Sequence, residues 1–426
     1  MRRRSPAWRV AGAMLIVLLA LALWIGWAGT GPLETAPALP AAAPPAAGQV
    51  ERGAYLARAG NCIACHTARG GAEWAGGRVI DTPFGSVYSS NLTPDATGLG
   101  GWSAVDFWNA MHHGRSRDGR LLYPAFPYPN YTRVTRADSD ALFAYLQSLP
   151  PVARANSEHR LRWPYSTQAA VAAWRALYFR PATHQDDTTR SAQWNRGAYL
   201  TQGLGHCSAC HGARDALGGS RNLLDLSGGL IPTQNWYAPS LTAPGEAGMM
   251  QWDAARIVQL LQTGVAPGAS VLGPMAEVVL HSTQHLSPGD LGAMAVFLQS
   301  LSPTPAPAAA PFVPAGGAFA ERGARLYGDH CQQCHGGDGR GVPGAYPPLA
   351  GNRAVTMPVT ANLVQVVLAG GYPPATQGNP RPFGMPPYAT VLSDEDIAAV
   401  LTHLRASWGN RAAPVSALDV LRHRGR

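Results

Sequence analysis

Residues 10–28 form an apolar run without a single charge, preceded by Arg2, Arg3, Arg4 and Arg9. At about 1.5 Å of rise per residue a helix over this run spans roughly 28 Å, close to the hydrocarbon thickness of a bilayer. Arginines before it and few charges just after it place the N-terminus in the cytoplasm and the rest of the chain outside. Trp24 and Trp27 fit an interfacial belt. A retained anchor is expected. A cleaved signal peptide, whose apolar core is normally shorter, stays open because the Ala-rich stretch that follows offers cleavage sites. Both readings export the chain. Beyond the run, strand-like alternation is scarce, which predicts a mainly α class.

A repeat sets the organisation. Glu51-Arg52-Gly53-Ala54-Tyr55-Leu56, Asn195-Arg196-Gly197-Ala198-Tyr199-Leu200 and Glu321-Arg322-Gly323-Ala324-Arg325-Leu326-Tyr327 each precede a pair of cysteines and each read as a short helix. Each unit closes on a further helix, expected over 138–149, 288–301 and 394–406. Ser287-Pro288 and Ser393-Asp394-Glu395-Asp396 supply N-cap chemistry for two of these. Three tandem domains are therefore expected, over 49–155, 194–302 and 318–409. The N-terminal segment is 1–30. Linkers follow at 31–48 and 303–317, both rich in Pro and Ala and semi-rigid. Residues 156–193 form a connector with Trp163, Tyr165, Trp174, Tyr178 and Phe179, read as aromatics folded back on the domains, with a short helix around 169–177. Residues 410–426 make a basic tail.

Composition narrows the class. The chain has 426 residues, 48 Gly, 37 Pro and only 14% charged residues, a loop-rich balance suited to small domains around a prosthetic group. Its formal charge is +8, but the clearest basic clusters are terminal, Arg2–Arg4 and Arg422, His423, Arg424 and Arg426, and form no stripe that would bind nucleic acid.

All six cysteines fall in three Cys-x-x-Cys-His motifs: Cys62, Cys65, His66; Cys207, Cys210, His211; and Cys331, Cys334, His335. Two thiols three positions apart on a helical turn reach the two vinyl groups of one porphyrin, and the adjacent histidine lies under the iron. Structural zinc pairs two such motifs at close spacing. Here the motifs lie 145 and 124 residues apart. Three covalently bound c-type haems are expected. Their attachment follows export, in agreement with the N-terminus.

With these motifs in place, the three units resemble class I cytochrome c domains. The third matches best, through the spacing of Gly323, Tyr327 and Cys331. Residues 49–409 resemble the triheme cytochrome c subunit of membrane-bound bacterial dehydrogenases, a likeness also carried by Gly273-Pro274-Met275-Ala276-Glu277-Val278-Val279 and Ser282-Thr283-Gln284-His285-Leu286. The resemblance implies a catalytic partner subunit, whether a quinoprotein, a flavoprotein or a molybdenum hydroxylase, and ubiquinone or a downstream cytochrome as acceptor. It places the chain on the periplasmic face of the inner membrane, anchored by residues 10–28.

Class I domains usually oppose the histidine with a methionine, whose soft thioether favours Fe(II). Met385 fits in the third unit, 50 residues after His335, with Met357 as runner-up. Met275 fits in the second, 64 residues after His211, with Met249, Met250 and Met294 as rivals. The first unit departs from the pattern, because Phe126 in Tyr123-Pro124-Ala125-Phe126-Pro127-Tyr128 stands where related sequences often carry methionine. A gap-free alignment of Gly114 with Gly264 pairs Met111 with Leu261 and sets His112 and His113 beside Gln262 and Thr263. His112, His113, Met111 or an iron without a protein ligand on that side all remain open, and the first haem is expected to differ from the others in spin state or potential.

The remaining histidines carry no ligand spacing, and His206 and His330 are expected to face solvent. Residues 336–341, rich in glycine, read as a loop beside the porphyrin. No nucleophile–base pair or dinucleotide fingerprint is present. The function read from the chain is that of an electron-transfer subunit. A multihaem enzyme using an open first haem, or a free-standing periplasmic shuttle, are the alternatives. The partner's substrate is not legible, although the Phe126 variant with His112-His113-Gly114 resembles the cytochromes that accompany molybdenum hydroxylases.

Overall fold

The computed structural model describes residues 6–31, 34, 46–220, 222, 225–305, 311–312 and 316–424; most of the two expected linkers lies outside the described residues. The chain divides into two compact units. One comprises Met1–Leu56, Cys65–Gln185 and Arg214–Leu223, the other Ala57–Ala64, Asp186–Ala213 and Leu224–Arg426. The mainly α expectation holds, and three tandem domains do not emerge as three separate bodies.

The first unit begins with the helix Pro6–Thr30, whose stretch Val10–Thr30 is long and apolar enough to cross a membrane. Its last turn packs on the helix Gln168–Tyr178, close to the expected 169–177. A Cβ at Gly29 would collide with the Ala172 carbonyl, so only glycine permits this approach. Ile25 joins Leu121, Tyr123, Val171 and Ala172 in a small apolar cluster. The C-terminal carbonyls of a helix have no partners within it, and here arginines from the unit supply them. Arg175 donates to the Gly29 oxygen at 2.6 Å, and Arg115 to the oxygens of Thr30 and Gly31 at 3.0 and 3.2 Å. Beyond the helix, Asn109 exchanges hydrogen bonds with the backbone of Glu34, whose carboxylate pairs with Arg136 at 3.2 Å.

The helix crossing that the repeat predicts recurs three times. In the first unit the helices Gln49–Ala59 and Arg136–Gln147 cross where Gly53 faces the Ala141 carbonyl. In the second unit Ala192–Tyr199 crosses Pro288–Gln299 at Gly197 and Ala293, and Gly317–His330 crosses Asp394–Ala406 at Gly323 and Ala399. A side chain at any of these glycines would strike a backbone oxygen. The arginine before each glycine reaches an aspartate in the first turn of the partner helix: Arg52 to Asp138 at 2.7 Å, Arg196 to Asp290 at 2.8 and 2.7 Å, and Arg322 to Asp396 at 2.7 Å.

The glycine lies nine, ten and eight residues before its first cysteine in the three repeats. In the longest of these, Leu200–Leu204 is a π-helical turn, a wider turn that takes up an extra residue without unwinding the helix. The second and third repeats share one unit because side chains tie them together. Asn362 donates to the Tyr237 oxygen at 2.7 Å and accepts its N–H at 2.8 Å, and Arg353 donates to the Ala247 carbonyl at 3.0 Å.

Strands are few and short. Val79–Thr82, Gly85–Tyr88 and Arg160–Leu161 form one antiparallel sheet, with Val79 opposite Tyr88 and Gly85 opposite Leu161. Two-stranded hairpins join Gly229–Ile231 to Trp236–Ala238 and Val265–Ala266 to Ala269–Ser270. The aromatics of residues 156–193 differ in their packing. Tyr178 bonds Asp215 at 2.6 Å, Trp174 donates to the Leu217 carbonyl, and Phe179 is buried, whereas Trp163 is exposed. The expected basic tail is corrected. Residues Ala417–Leu421 form a capped helix on Asp394–Ala406, Val415 and Val420 are buried, and Arg424 grips Asp394 at 2.5 Å. Two apolar anchors and an acidic partner outweigh the solvation of the arginines.

Candidate haem sites

Each motif is built on one helical turn, Cys62–Cys65, Ser208–His211 and Gln332–His335, with Cys207 and Cys331 at the N-cap of the second and third. The i, i+3 spacing puts both thiols of a pair on one face. None of the six cysteines forms a disulfide. Burial, and after it the neighbouring thiol, push the free thiol of Cys207 up to about 12 and that of Cys331 up to about 11. Among the described residues no three His, Cys, Asp or Glu side chains gather as a metal cluster.

The three histidines share a second contact. His66 Nδ1 lies 2.7 Å from the Ser90 carbonyl, His211 Nδ1 2.7 Å from the Pro239 carbonyl, and His335 Nδ1 3.0 Å from the Pro347 carbonyl. A carbonyl only accepts, so Nδ1 carries the proton and Nε2 keeps its lone pair. Burial holds all three imidazoles below the ordinary histidine value, partly offset by these hydrogen bonds. A neutral imidazole, fixed in tautomer and orientation by a backbone acceptor, is what a proximal iron ligand requires.

In the second unit a cavity of about 780 Å³ is lined by Cys207, Cys210, His211 and Met275 and also by Cys331, Cys334, His335 and Met385. Its size is that of a cofactor site. The buried Nε1 of Trp252 and Nε of Arg256 on its wall have no hydrogen-bond partner among the described residues. Buried donors without partners are costly, and the carboxylates of a porphyrin are the class of acceptor they lack. The residues present therefore fit haem. Ala59 and Asn61, just before Cys62, belong to the same wall.

The methionines separate by packing. All five line the cavity, but Met249, Met294 and Met357 are buried at 6%, 4% and 3% exposure, whereas Met275 and Met385 are half-buried. Met111 is buried in the helix Ala104–His113. His112 stacks on Trp108 at 4.2 Å, and His113 meets the edge of His112. The expectation that His206 and His330 face solvent is corrected. Both are half-buried and line the cavity, and His206 Nε2 lies 3.3 Å from the Gly60 carbonyl. Trp252, Arg256 and Tyr237, whose hydroxyl donates to the buried Glu246 carboxylate at 3.1 Å on the same wall, were missed from sequence, although the alignment of Gly114 with Gly264 also sets Trp102 beside Trp252 and was a signal.

A general cytochrome c family model matches residues 50–150 and 320–408. The chain is 38% identical over 401 residues to the cytochrome c subunit of the quinone-dependent alcohol dehydrogenase of Komagataeibacter europaeus, an alignment covering 88% of this chain and 84% of that one. This chain belongs to the cytochrome c subunits of bacterial dehydrogenases. Another member, the gluconate 2-dehydrogenase cytochrome c subunit of Pantoea cypripedii, is 38% identical, with 87% and 88% covered. A subunit of the nicotinate dehydrogenase of Pseudomonas putida is 39% identical over 95% of this chain but only 34% of its own length. Similar identities to partners of different chemistry do not single out a substrate. As a cytochrome c subunit the chain carries covalently bound haem c and transfers electrons; catalysis on the substrate belongs to another polypeptide of the complex.

Proposed function

We propose that the chain holds three c-type haems and relays electrons through them from a dehydrogenase catalytic subunit to a quinone or a downstream cytochrome. The observation that carries this reading is the histidine–carbonyl contact repeated at His66, His211 and His335. Cys62 and Cys65, Cys207 and Cys210, and Cys331 and Cys334 hold the porphyrins, and Met275 and Met385 supply the opposite ligands in the second and third sites. When bound, the haem iron supplies one-electron redox chemistry. The protein's own residues orient the imidazoles, exclude water and set the environment of each iron. The second and third motifs open on one cavity, whose wall includes Asn61 beside Cys62, and this supports haem-to-haem transfer within the chain.

The helix Pro6–Thr30 serves as a retained anchor that keeps the chain at the periplasmic face of the membrane. Its last carbonyls are bonded by Arg175 and Arg115, and cleavage after residue 30 would remove the Gly29 acceptor of Arg175 and the Thr30 acceptor of Arg115. The test is purification of the chain in mild detergent. Three haems per chain by intact mass, an N-terminus that includes the helix, and a co-purifying dehydrogenase are expected. Two haems, or a mature chain that starts beyond residue 30, would overturn the corresponding part.

A further inference from the structure

We propose that the haem at Cys62–His66 has no protein ligand on its distal face and binds a small neutral diatomic, CO or NO, in its ferrous state behind the phenyl ring of Phe126. This rests on the reading that the first motif carries a haem.

The argument begins with one hairpin that occurs twice. The helices Ala104–His113 and Ala254–Thr263 both end on a left-handed glycine, Gly114 with φ 60° and Gly264 with φ 80°. Leu122 donates to the Gly114 carbonyl at 2.8 Å, and Val271 donates to the Gly264 carbonyl at 2.9 Å. The bridge Arg115 to Leu121 matches the pair Val265 to Ser270, with one residue more in the first turn. Four residues beyond the matched donors stand Phe126 and Met275. By this count Phe126 takes the place along the chain that Met275, which faces the cavity, holds in the second repeat, and both side chains are half-buried.

The other candidates sit elsewhere. On the helices, where no residue is inserted, His112 and His113 match Gln262 and Thr263, neither of which lines the cavity beside His211. Both histidines are buried, and His112 is occupied by stacking on Trp108. Met111 matches Leu261, another residue of the cavity wall and not Met275 itself. Phe126 packs with Tyr131 at 5.3 Å between ring centroids, so its place is set by aromatic neighbours.

A phenyl ring has no lone pair for iron and neither donates nor accepts a conventional hydrogen bond. It leaves room for a ligand that needs no polar partner, which favours CO and NO over peroxide, whose activation calls for a base or donor at that place. Binding of CO forms one dative bond from the carbon lone pair to Fe(II); nothing is oxidised, and no proton moves.

The test uses the full-length chain in detergent, with haems counted by intact mass and the dithionite-reduced protein titrated with CO. With three haems attached, one CO per chain and a high-spin component in the absorption and EPR spectra are expected. Phe126→Met should abolish CO binding and convert that component to low spin, while Met111→Leu should leave the wild-type titration unchanged. Three attached haems with no CO uptake would overturn the proposal, as would CO binding that appears only in Met111→Leu, since Met111 would then be the ligand. A chain with only two haems would instead overturn the reading beneath it, and the mass alone tells the two failures apart.

Discussion

Arg196 grips both carboxylate oxygens of Asp290, at 2.8 and 2.7 Å, one residue before the glycine on which their two helices cross. The pair is partly exposed, so its loss is modest, and Arg196→Ala is expected to lower stability by about 1 kcal/mol. Gly197→Val acts differently, because its side chain would enter the Ala293 carbonyl and the Cβ of Phe297. Separation of the helices there should cost about 3 kcal/mol. Thermal melts of both variants check the order; equal losses would show that the glycine contact is not the limiting one.

The proposed ligands make a second prediction. Met385→His keeps two strong axial ligands but replaces a thioether by an imidazole, which stabilises Fe(III). One haem should fall in potential by a sizeable part of the roughly 0.8 V range that axial ligands span. A redox titration reads this directly, and unchanged potentials would remove Met385 from the iron.

Arg175 offers a third. Its guanidinium is 2% exposed, bonds the Gly29 carbonyl, and lies over the rings of Phe179 and Tyr128 at 4.7 and 5.2 Å. Arg175→Ala removes a charge-assisted hydrogen bond and the packing together, for a loss of about 3 kcal/mol. Limited proteolysis near residue 30 should accelerate in this variant. An unchanged cleavage rate would mean that the helix end is held by other contacts.

A fourth prediction concerns pH. Burial first, then the nearby charges of His112, Arg175 and Arg115, push His113 down to about 4, although Glu34 acts in the opposite sense. The folded state therefore binds this proton less readily than the unfolded chain does. Stability is full above about 6.5, the ordinary histidine value, and falls as pH drops from there toward about 4. Melting temperatures across that window should decline less steeply for His113→Gln than for the wild type. Parallel curves would assign the acid sensitivity to other groups.

Much of this was legible in the chain. The three Cys-x-x-Cys-His motifs point to haem c because its attachment calls for adjacent letters, and the cap residues Ser287 and Ser393 placed helix starts at Pro288 and Asp394 to the residue. Arg52, Arg196 and Arg322 were visible as repeated letters. Their aspartate partners were not legible, since residues 86, 94 and 74 positions away leave no local signature. The hairpins were missed because strands of two or three residues show no period. The basic tail misled for a related reason: Val415 and Val420 are too few to register as an apolar pattern, yet both are buried. The Trp252 and Arg256 donors depend on the cavity, which no linear reading displays.

The arginine–aspartate joint behaves like a hasp that closes three loops of unequal length. By chain-entropy scaling, closing 94 residues and not 74 costs only about 0.2 kcal/mol more. The enclosed stretch can therefore lengthen, shorten or change its residues with little penalty to the fold, as it does between the Phe126 hairpin and the Met275 hairpin. Axial chemistry in such a chain is free to drift one haem at a time.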